Sequence, residues 1–528
     1  MRLGVLDCTL RDGGYLVDKK FSEGVVLNIA SGLVQAGIEY VELGFLQDSI
    51  GEGETVCFRN STDARKYIPQ DRRDTHFTAF ADFGRYSIEN LDRHDGLSFD
   101  CVRVAFHKAD RKTALEFCGE VKAKGYKVFV QPMVILRYTN AELLDLLADI
   151  NELMPYCIGI VDTFGSMYLE DLRLKLALVH YELLPGIMMG FHSHNNKEMS
   201  NALSMEFVQL MKNERDIAVD STLYGMGRGA GNTRTEVIVD YLNRRQGKRY
   251  DLPTLLDVID NSVRGFSVQP RWGYDLHMYL AGIHSSHVSN IDYLSEKASL
   301  RTKDVSWILG SLTDDQRAKS DFGRLDELYL QCMKRELSRD DVNSLREIMQ
   351  GRPALIVAPG NTVSTHENEI RAYIASCGPV VVSINFAPSN IDVDFVYFNN
   401  SRRYDYFMNS GRLAGKRLIL TSNVDAGQAG GYLIPAERII AGTDDNSAIL
   451  LLNLLDLLGV SEIALAGFDG FTDHGRNYVY DYLIKPAAFS ESKNRKISAL
   501  FSDFLHRTSV GKVLFVTPSK FDRSKELS

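Results

Sequence analysis

Cysteine is scarce: seven in 528 residues, at 8, 57, 101, 118, 157, 332 and 377, with no CxxC pair. An odd, dispersed set excludes a disulfide framework and fits a reducing cytosol. Long apolar runs are missing as well. The richest stretch, Ala448–Val460, is interrupted by Asn453 and Asp456 and is too short to cross a bilayer. The opening MRLGVLDCTLRDGG lacks the apolar core of a signal peptide, so a cytoplasmic location without membrane insertion is expected. There is no excess of positive charge: 60 Lys and Arg against 69 Asp and Glu leave −9, which argues against a nucleic-acid partner or a basic membrane face. No fixed-period repeat and no low-complexity tract occurs. What remains is 45% hydrophobic and 24% charged, an ordinary globular composition with length for several domains and sizeable cores.

From residue 3 to about 245, short apolar runs alternate with helix-length amphipathic stretches. The expected strands are Leu3–Asp7, Tyr40–Gly44, Thr75–Ala81, Cys101–Phe106, Lys127–Pro132, Ile158–Asp162, Met188–His192 and Ile217–Ser221. Helices are expected over Ser22–Ala36, with Ser22 as N-cap and Gly37 just past the end, and over Asn140–Leu153. The polar 48–74 connection reads as a lid-like insertion. Eight strands alternating with helices predict a (β/α)8 TIM barrel, with a doubly wound sheet as the rival. Residues 249–352 read as a helical appendage and linker, including a helix at Ser338–Gln350 capped by Ser338. From 353 the alternation resumes at Ala354–Ala358, Val380–Asn385, Phe395–Phe398, Arg417–Thr421, Glu462–Ala466 and Lys512–Val516, with a helix at Asn446–Leu458, which predicts a Rossmann-like open α/β domain over 353–528.

The chemistry-bearing residues fall at strand ends. His192-Ser193-His194 closes the seventh run, and on a strand positions i and i+2 share a face, so both imidazoles can aim into a barrel mouth. Two polar residues simply ending a strand is the plainer alternative. The first run ends in Asp7-Cys8-Thr9-Leu10-Arg11-Asp12-Gly13-Gly14 at the same expected end of the barrel. The eighth is followed by Gly225-Met226-Gly227-Arg228-Gly229-Ala230-Gly231-Asn232-Thr233, where Asn232 can offer a carbonyl oxygen and Thr233 is the expected cap of the next helix. Asp12, His192, His194 and Asn232 make a mixed O/N set that suits Mn²⁺, Mg²⁺ or Zn²⁺ with exchangeable positions better than a closed structural zinc site.

DCTLRDGG at 7–14, VELGF at 41–45, DTFG at 162–165, FHSHNN at 191–196 and GMGRGAGNTRTE at 225–236 resemble the HMG-CoA lyase-like, or DRE-TIM metallolyase, superfamily. Within it the likeness is closest to the 4-hydroxy-2-oxovalerate aldolases, whose helical region behind the barrel resembles Trp272 through His287. The resemblance implies that Asp12, His192 and His194 bind the metal and that Arg11 stabilises an enolate. It also implies a 2-oxo acid and an aldehyde as small-molecule partners, and a homo-oligomer through the helical region is an open expectation. In those aldolases a histidine base stands three residues after the motif aspartate; here Tyr15 stands there. A tyrosine with an ordinary pKa near 10 is a poor base at neutral pH, so Tyr15 is expected as acid or hydrogen-bond partner, with His107, His284 and His287 as alternative bases. Glu42, Asp162 and Thr163, at strand ends, are candidates to orient substrate or ligands, with a purely structural role equally open for Glu42 and Asp162.

In the second half, Pro359-Gly360-Asn361-Thr362 after a strand suggests a phosphate seat at a helix start. With Asn385, Asn399, Asp469 and the later His474, this pattern resembles the group of bacterial sialyltransferases and MptE-like pterin diphosphokinase domains. That likeness implies a nucleotide or nucleotide-sugar ligand near Gly360, Asn361, Asn385, Asn399 and Asp469; the pairing of the two domains suggests surface-sugar synthesis. Two alternatives stay open for the whole chain: an acyl-CoA Claisen-type condensing enzyme or lyase, and a non-catalytic binding or scaffold protein.

Overall fold

A computed structural model describes residues 1–268, 272–297, 299–425, 430–473, 477–480 and 490–522; His474 lies outside them. The chain forms two compact units, Met1–Ile291 with Arg317–Lys319, and Asp292–Gln316 with Ser320–Ser528. Among the described residues no helix is long and apolar enough to cross a membrane.

The first unit is a closed parallel barrel. Its strands are β1 (Leu3–Asp7), β2 (Tyr40–Leu46), β3 (His76–Asp82), β4 (Cys101–Phe106), β5 (Lys127–Pro132), β6 (Cys157–Asp162), β7 (Met188–Ser193) and β8 (Ile217–Ser221). Closure occurs where β1 pairs with β8, from Leu3↔Ile217 to Asp7↔Ser221, and with β2 at Leu6↔Tyr40. The strands read as nearly unbroken apolar runs because both of their faces are buried, one in the barrel and one under helices. The 48–74 insertion contributes a two-residue strand, Cys57–Phe58, paired to β2, which carries a register irregularity between Glu42 and Phe45.

The flanking helices start and stop on local signals. Ser22 Oγ accepts the Val25 N–H at 3.3 Å, and Gly37, with φ +83°, ends the helix Glu23–Gln35. That helix buries Val26, Ile29, Ala30 and Leu33 on one face, each large side chain worth about 1.5–3 kcal/mol. Thr139 and Glu142 form a reciprocal capping box before Asn140–Leu153. Thr233 does not cap the helix Thr235–Gln246: Arg234 holds the cap position, and the Thr233 hydroxyl is paired with Ser204 at 2.8 Å. The segment expected behind the barrel lies instead over its C-terminal mouth. Trp272 Nε1–H donates to Tyr224 O at 2.9 Å, Arg137 donates to Ser285 O at 2.8 Å, and Gly282 packs against Asn196 and Lys197.

Among the described residues of the second unit seven strands run parallel: β9 (Pro353–Val357), β10 (Val380–Ile384), β11 (Phe395–Phe398), β12 (Leu418–Thr421), β13 (Tyr432–Ile434), β14 (Glu462–Ala466) and β15 (Lys512–Phe515). Their spatial order is β13-β12-β11-β10-β9-β14-β15. Alternate residues feed two cores, Ala354 and Ile356 with the helix Ser447–Leu458 on one face and Leu355 and Val357 on the other. The short β13 was not anticipated. The expected Ser338 cap is also displaced: that helix begins at Val342, with Asp341 at its cap position.

Candidate metal centre

Six side chains form a closed ring of charge inside the barrel. Arg11 Nη1 donates to Asp12 Oδ1 at 2.6 Å and Arg11 Nε to Glu42 Oε2 at 2.8 Å. Arg103 Nη1 lies 3.1 Å from the same Glu42 oxygen, and its Nη2 donates to Asp220 Oδ2. Asp220 Oδ2 in turn pairs with His192 Nδ1 at 3.1 Å, and His192 Nε2 lies 3.4 Å from Asp12 Oδ2, which closes the ring. All six are buried. Three carboxylates face two guanidiniums, one negative charge in excess before any imidazole takes a proton. Burying such an excess is costly, so the arrangement is suited to a cation.

The remaining members of the expected set stand at the same place. The His194 ring lies edge-on to His192, centroids 5.1 Å apart, and burial pushes its pKa down to about 3, so the ring is neutral with its lone pair free for a metal. Asn232 is bridged to His194 through the backbone, and its buried Oδ1 has no hydrogen-bond partner among the described residues. A Cβ on Gly227 would fall 2.1 Å from the Asn232 amide and 3.6 Å from Asp12 Cβ, so this glycine lets the loop close over both. An orphaned buried acceptor beside an anionic pocket is what a cation ligand looks like without its ion. Although burial alone would raise Asp12, Arg11, His192 and His194 outweigh it and hold the carboxyl at about 2. His192, with Nδ1 on a carboxylate and Nε2 aimed at Asp12, has the orientation that outer carboxylates give metal-binding histidines. Cys8 completes a Cys8–Asp12–His192 group within 4.8 Å, but burial pushes its thiol well above the ordinary range, which disfavours the thiolate a metal needs.

The other expected residues divide. Glu42 is in the ring, where it anchors Arg11. Tyr15 stands at the mouth with Arg228 3.8 Å over its ring and Phe45 packed edge-on; burial raises the phenol further, the wrong direction for a base. Asp162 is not free to meet substrate: its oxygens accept Ser166 N–H, Met167 N–H and the Ser193 hydroxyl, and burial lifts it to about 6. The Thr163 hydroxyl accepts Val134 N–H at 2.8 Å and fixes a turn. His107 is exposed, and burial lowers both His284 and His287, the latter to about 4. His287 Nδ1 accepts the Ser289 N–H at 3.2 Å, which leaves its proton on Nε2, the tautomer of a donor rather than a base.

The expected phosphate seat of the second unit is already taken. The Asp469 carboxylate accepts Thr362 N–H at 2.9 Å and the Thr362 hydroxyl, and a Cβ on Gly360 would fall 2.2 Å from Gly467 O, so this glycine answers to packing. Asn361 is the residue before that four-residue helix and its side chain caps nothing. Asn385, at φ +56°, donates to Asn399 Oδ1 and Ser447 Oγ and accepts the N–H groups of Asn399 and Asn400; Asn399 Nδ2 donates to Asp445 O. These asparagines hold the strand ends of β10 and β11 together.

Arg103 and Asp220 were missed in the sequence. The available signal was a single charged residue inside each of the apolar runs CVRVAF and IAVDS, where only a buried partner makes the charge tolerable.

A closed parallel barrel with Asp12, His192, His194 and Asn232 gathered at its C-terminal mouth is a TIM-barrel architecture. Residues 2–261 match the HMGL-like family model. The chain is 26% identical to 4-hydroxy-2-oxovalerate aldolase of Moorella thermoacetica over 314 residues, 58% of this chain and 90% of that protein. It is 28% identical to oxaloacetate decarboxylase of Mycobacterium tuberculosis over 327 residues, covering 61% and 92%. Among solved structures, HMG-CoA lyase of Bacillus subtilis aligns at 16% identity and a TM-score of 0.41, over 52% of this chain and 96% of that one.

Proposed function

We propose that the first unit is a divalent-metal-dependent carbon–carbon lyase of the aldolase type, making or breaking the bond between a pyruvate-type enolate and an aldehyde. The observation that carries this reading is the unpartnered Asn232 oxygen beside Asp12, His192 and His194, next to an arginine anchored from two sides. Similarity to the 4-hydroxy-2-oxovalerate aldolases supports the substrate class. Asp12, His192, His194 and Asn232 would hold a divalent cation, which would supply Lewis acidity toward a 2-oxo acid's carbonyl, and Mn²⁺ or Mg²⁺ suits the mixed O/N set. Arg11 spends Nη1 on Asp12 and Nε on Glu42, which aims the remaining face of its guanidinium at the oxygen where charge develops. Tyr15 stays protonated, so its part is to donate toward the aldehyde oxygen.

The test is pyruvate release from a panel of 4-hydroxy-2-oxo acids by metal-stripped and Mn²⁺-loaded full-length chain. Metal-dependent release is expected. Absence of release from every substrate with metal bound would reject the reading, and a requirement for CoA thioesters would favour a Claisen-type reaction. Similarity to an oxaloacetate decarboxylase favours one second reading, loss of CO₂ from a 2-oxo diacid, and oxaloacetate belongs in the same panel.

For the second unit we retain nucleotide or nucleotide-sugar handling. What supports it is a parallel sheet in which β9 is flanked by β10 and β14, so that the chain leaves the sheet centre in both directions, the position where open α/β sheets take ligands. Calorimetry with nucleoside mono- and diphosphates and CMP-sugars is expected to show binding, and silence across the panel would reject it.

A further inference from the structure

We propose that Arg228, together with the Nε2–H of His287, forms an anion-binding subsite at the barrel mouth. This subsite selects an acceptor aldehyde that carries a carboxylate or phosphate at the end remote from its carbonyl, an inference that rests on the aldolase reading above.

Two guanidiniums at this mouth lie over aromatic rings, Arg11 4.6 Å from the Phe80 centroid and Arg228 3.8 Å from that of Tyr15. Their bonding differs. Arg11 is tied to Asp12 and Glu42. Arg228, half-buried on the glycine-rich loop, makes no side-chain hydrogen bond and no ion pair among the described residues. It stands over Tyr15, and the preceding Gly227 packs against Asn232 and Asp12, which places Arg228 at the candidate site rather than on the outer surface. The acids around it are engaged elsewhere: Asp12 with Arg11 at 2.6 Å and Asp82 with Arg85 at 3.2 Å.

An aromatic ring under a guanidinium is worth about 0.5–2 kcal/mol and uses none of its five N–H donors. Those donors form a planar fork matched to carboxylate or phosphate oxygens. His287, on the segment that Arg137 ties down through Ser285 O, offers a second donor. Its Nδ1 is taken by the Ser289 N–H, its ring is held neutral by burial, and the proton therefore stays on Nε2. A neutral donor beside a cation, with the nearby acids already paired, is an incomplete anion site, and the aldehyde is the reactant whose far end is not consumed by Arg11 and the ligand set.

The test uses the full-length chain loaded with Mn²⁺, condensing pyruvate with length-matched aldehyde pairs: succinic semialdehyde against butanal, and glyceraldehyde 3-phosphate against glyceraldehyde. The wild type is expected to favour the anionic member of at least one pair in kcat/KM by about 30-fold or more, and which pair distinguishes carboxylate from phosphate. Arg228→Gln is expected to bring that ratio to within about threefold of unity, and Arg228→Lys to restore part of it. In parallel, calorimetry with succinate and glycerol 3-phosphate, with and without Mn²⁺, is expected to show binding that Arg228→Gln weakens about tenfold or more and His287→Ala weakens less. No charge preference in the wild type, an unchanged ratio in Arg228→Gln, a uniform rise in the pyruvate KM with every aldehyde, or equal binding by wild type and variant would each overturn the subsite. Absence of turnover with every aldehyde would count against the aldolase reading, while the calorimetry would still decide the subsite.

Discussion

Arg11 and Glu42 are joined by a 2.8 Å bond from Nε to Oε2, and Arg103 reaches that same oxygen at 3.1 Å from β4, two strands away in the barrel. The arginine proposed to meet the substrate is therefore oriented by a carboxylate that is itself held from the far side. Glu42→Gln is expected to lower kcat about 10- to 100-fold while the KM for the 2-oxo acid moves less than about threefold, because positioning is lost without loss of the binding group. Loss of one charge from this buried set is also expected to cost about 3 kcal/mol or more in stability. Steady-state kinetics and denaturant titration check both, and an unchanged kcat in Glu42→Gln would remove Glu42 from any role in orienting Arg11.

Arg11→Ala is expected to keep bound metal and lose about 10²- to 10³-fold in kcat, since the guanidinium meets charge that grows during the reaction. Metal analysis of the same preparation used for kinetics separates this from loss of the cation. Full activity in Arg11→Ala would refute the enolate assignment.

Asp220→Asn leaves the shape of the His192 contact and removes its charge. Metal affinity is expected to fall about 10- to 100-fold with the His192 ring still in place. Titration of Mn²⁺ into the stripped variant reads this directly, and wild-type affinity would show that the 3.1 Å contact with His192 Nδ1 is incidental.

Burial raises Asp7 and Asp162 to about 6 from an ordinary value of 3.8. The folded chain thus binds these protons more tightly than the unfolded one. Their contribution is fully stabilising below about pH 4 and is lost as pH rises through 6, on the order of 2–3 kcal/mol for each carboxyl. Metal-free wild type is expected to lose stability between about pH 4 and 7 more steeply than Asp7→Asn, in which contacts to Thr9 N–H and the Thr235 hydroxyl can be kept. Parallel slopes in urea titrations across that range would contradict the assignment.

Most of the barrel was legible because each strand is a short apolar run closed by a polar or small residue, and because Ser22, Thr139 and Gly37 mark helix ends by chemistry that acts locally. Arg11, Asp12, His192 and His194 were legible for the same reason: they stand at strand ends, where side chains of unlike type share one mouth. The ring partners Arg103 and Asp220 were not, since a lone charge inside an apolar strand names no partner until closure brings β4 within reach of β2 and β8. Asn385 and Asp469 were legible as strand-end polar residues but not as the internal hydrogen-bond partners that they are. Polar residues at strand ends suggest a ligand, but tertiary contacts spend their hydrogen bonds within the protein. The three-residue β13 is shorter than any pattern of alternation can reveal.

The central claim is that Asp12, His192, His194 and Asn232 hold one divalent cation, and calorimetric titration of Mn²⁺ into EDTA-stripped full-length chain tests it most directly. One ion per chain is predicted for the wild type and none at the same concentrations for His192→Ala and His194→Ala, with all three folded by circular dichroism. A wild type that takes up no ion, or histidine variants that bind as the wild type does, would contradict it.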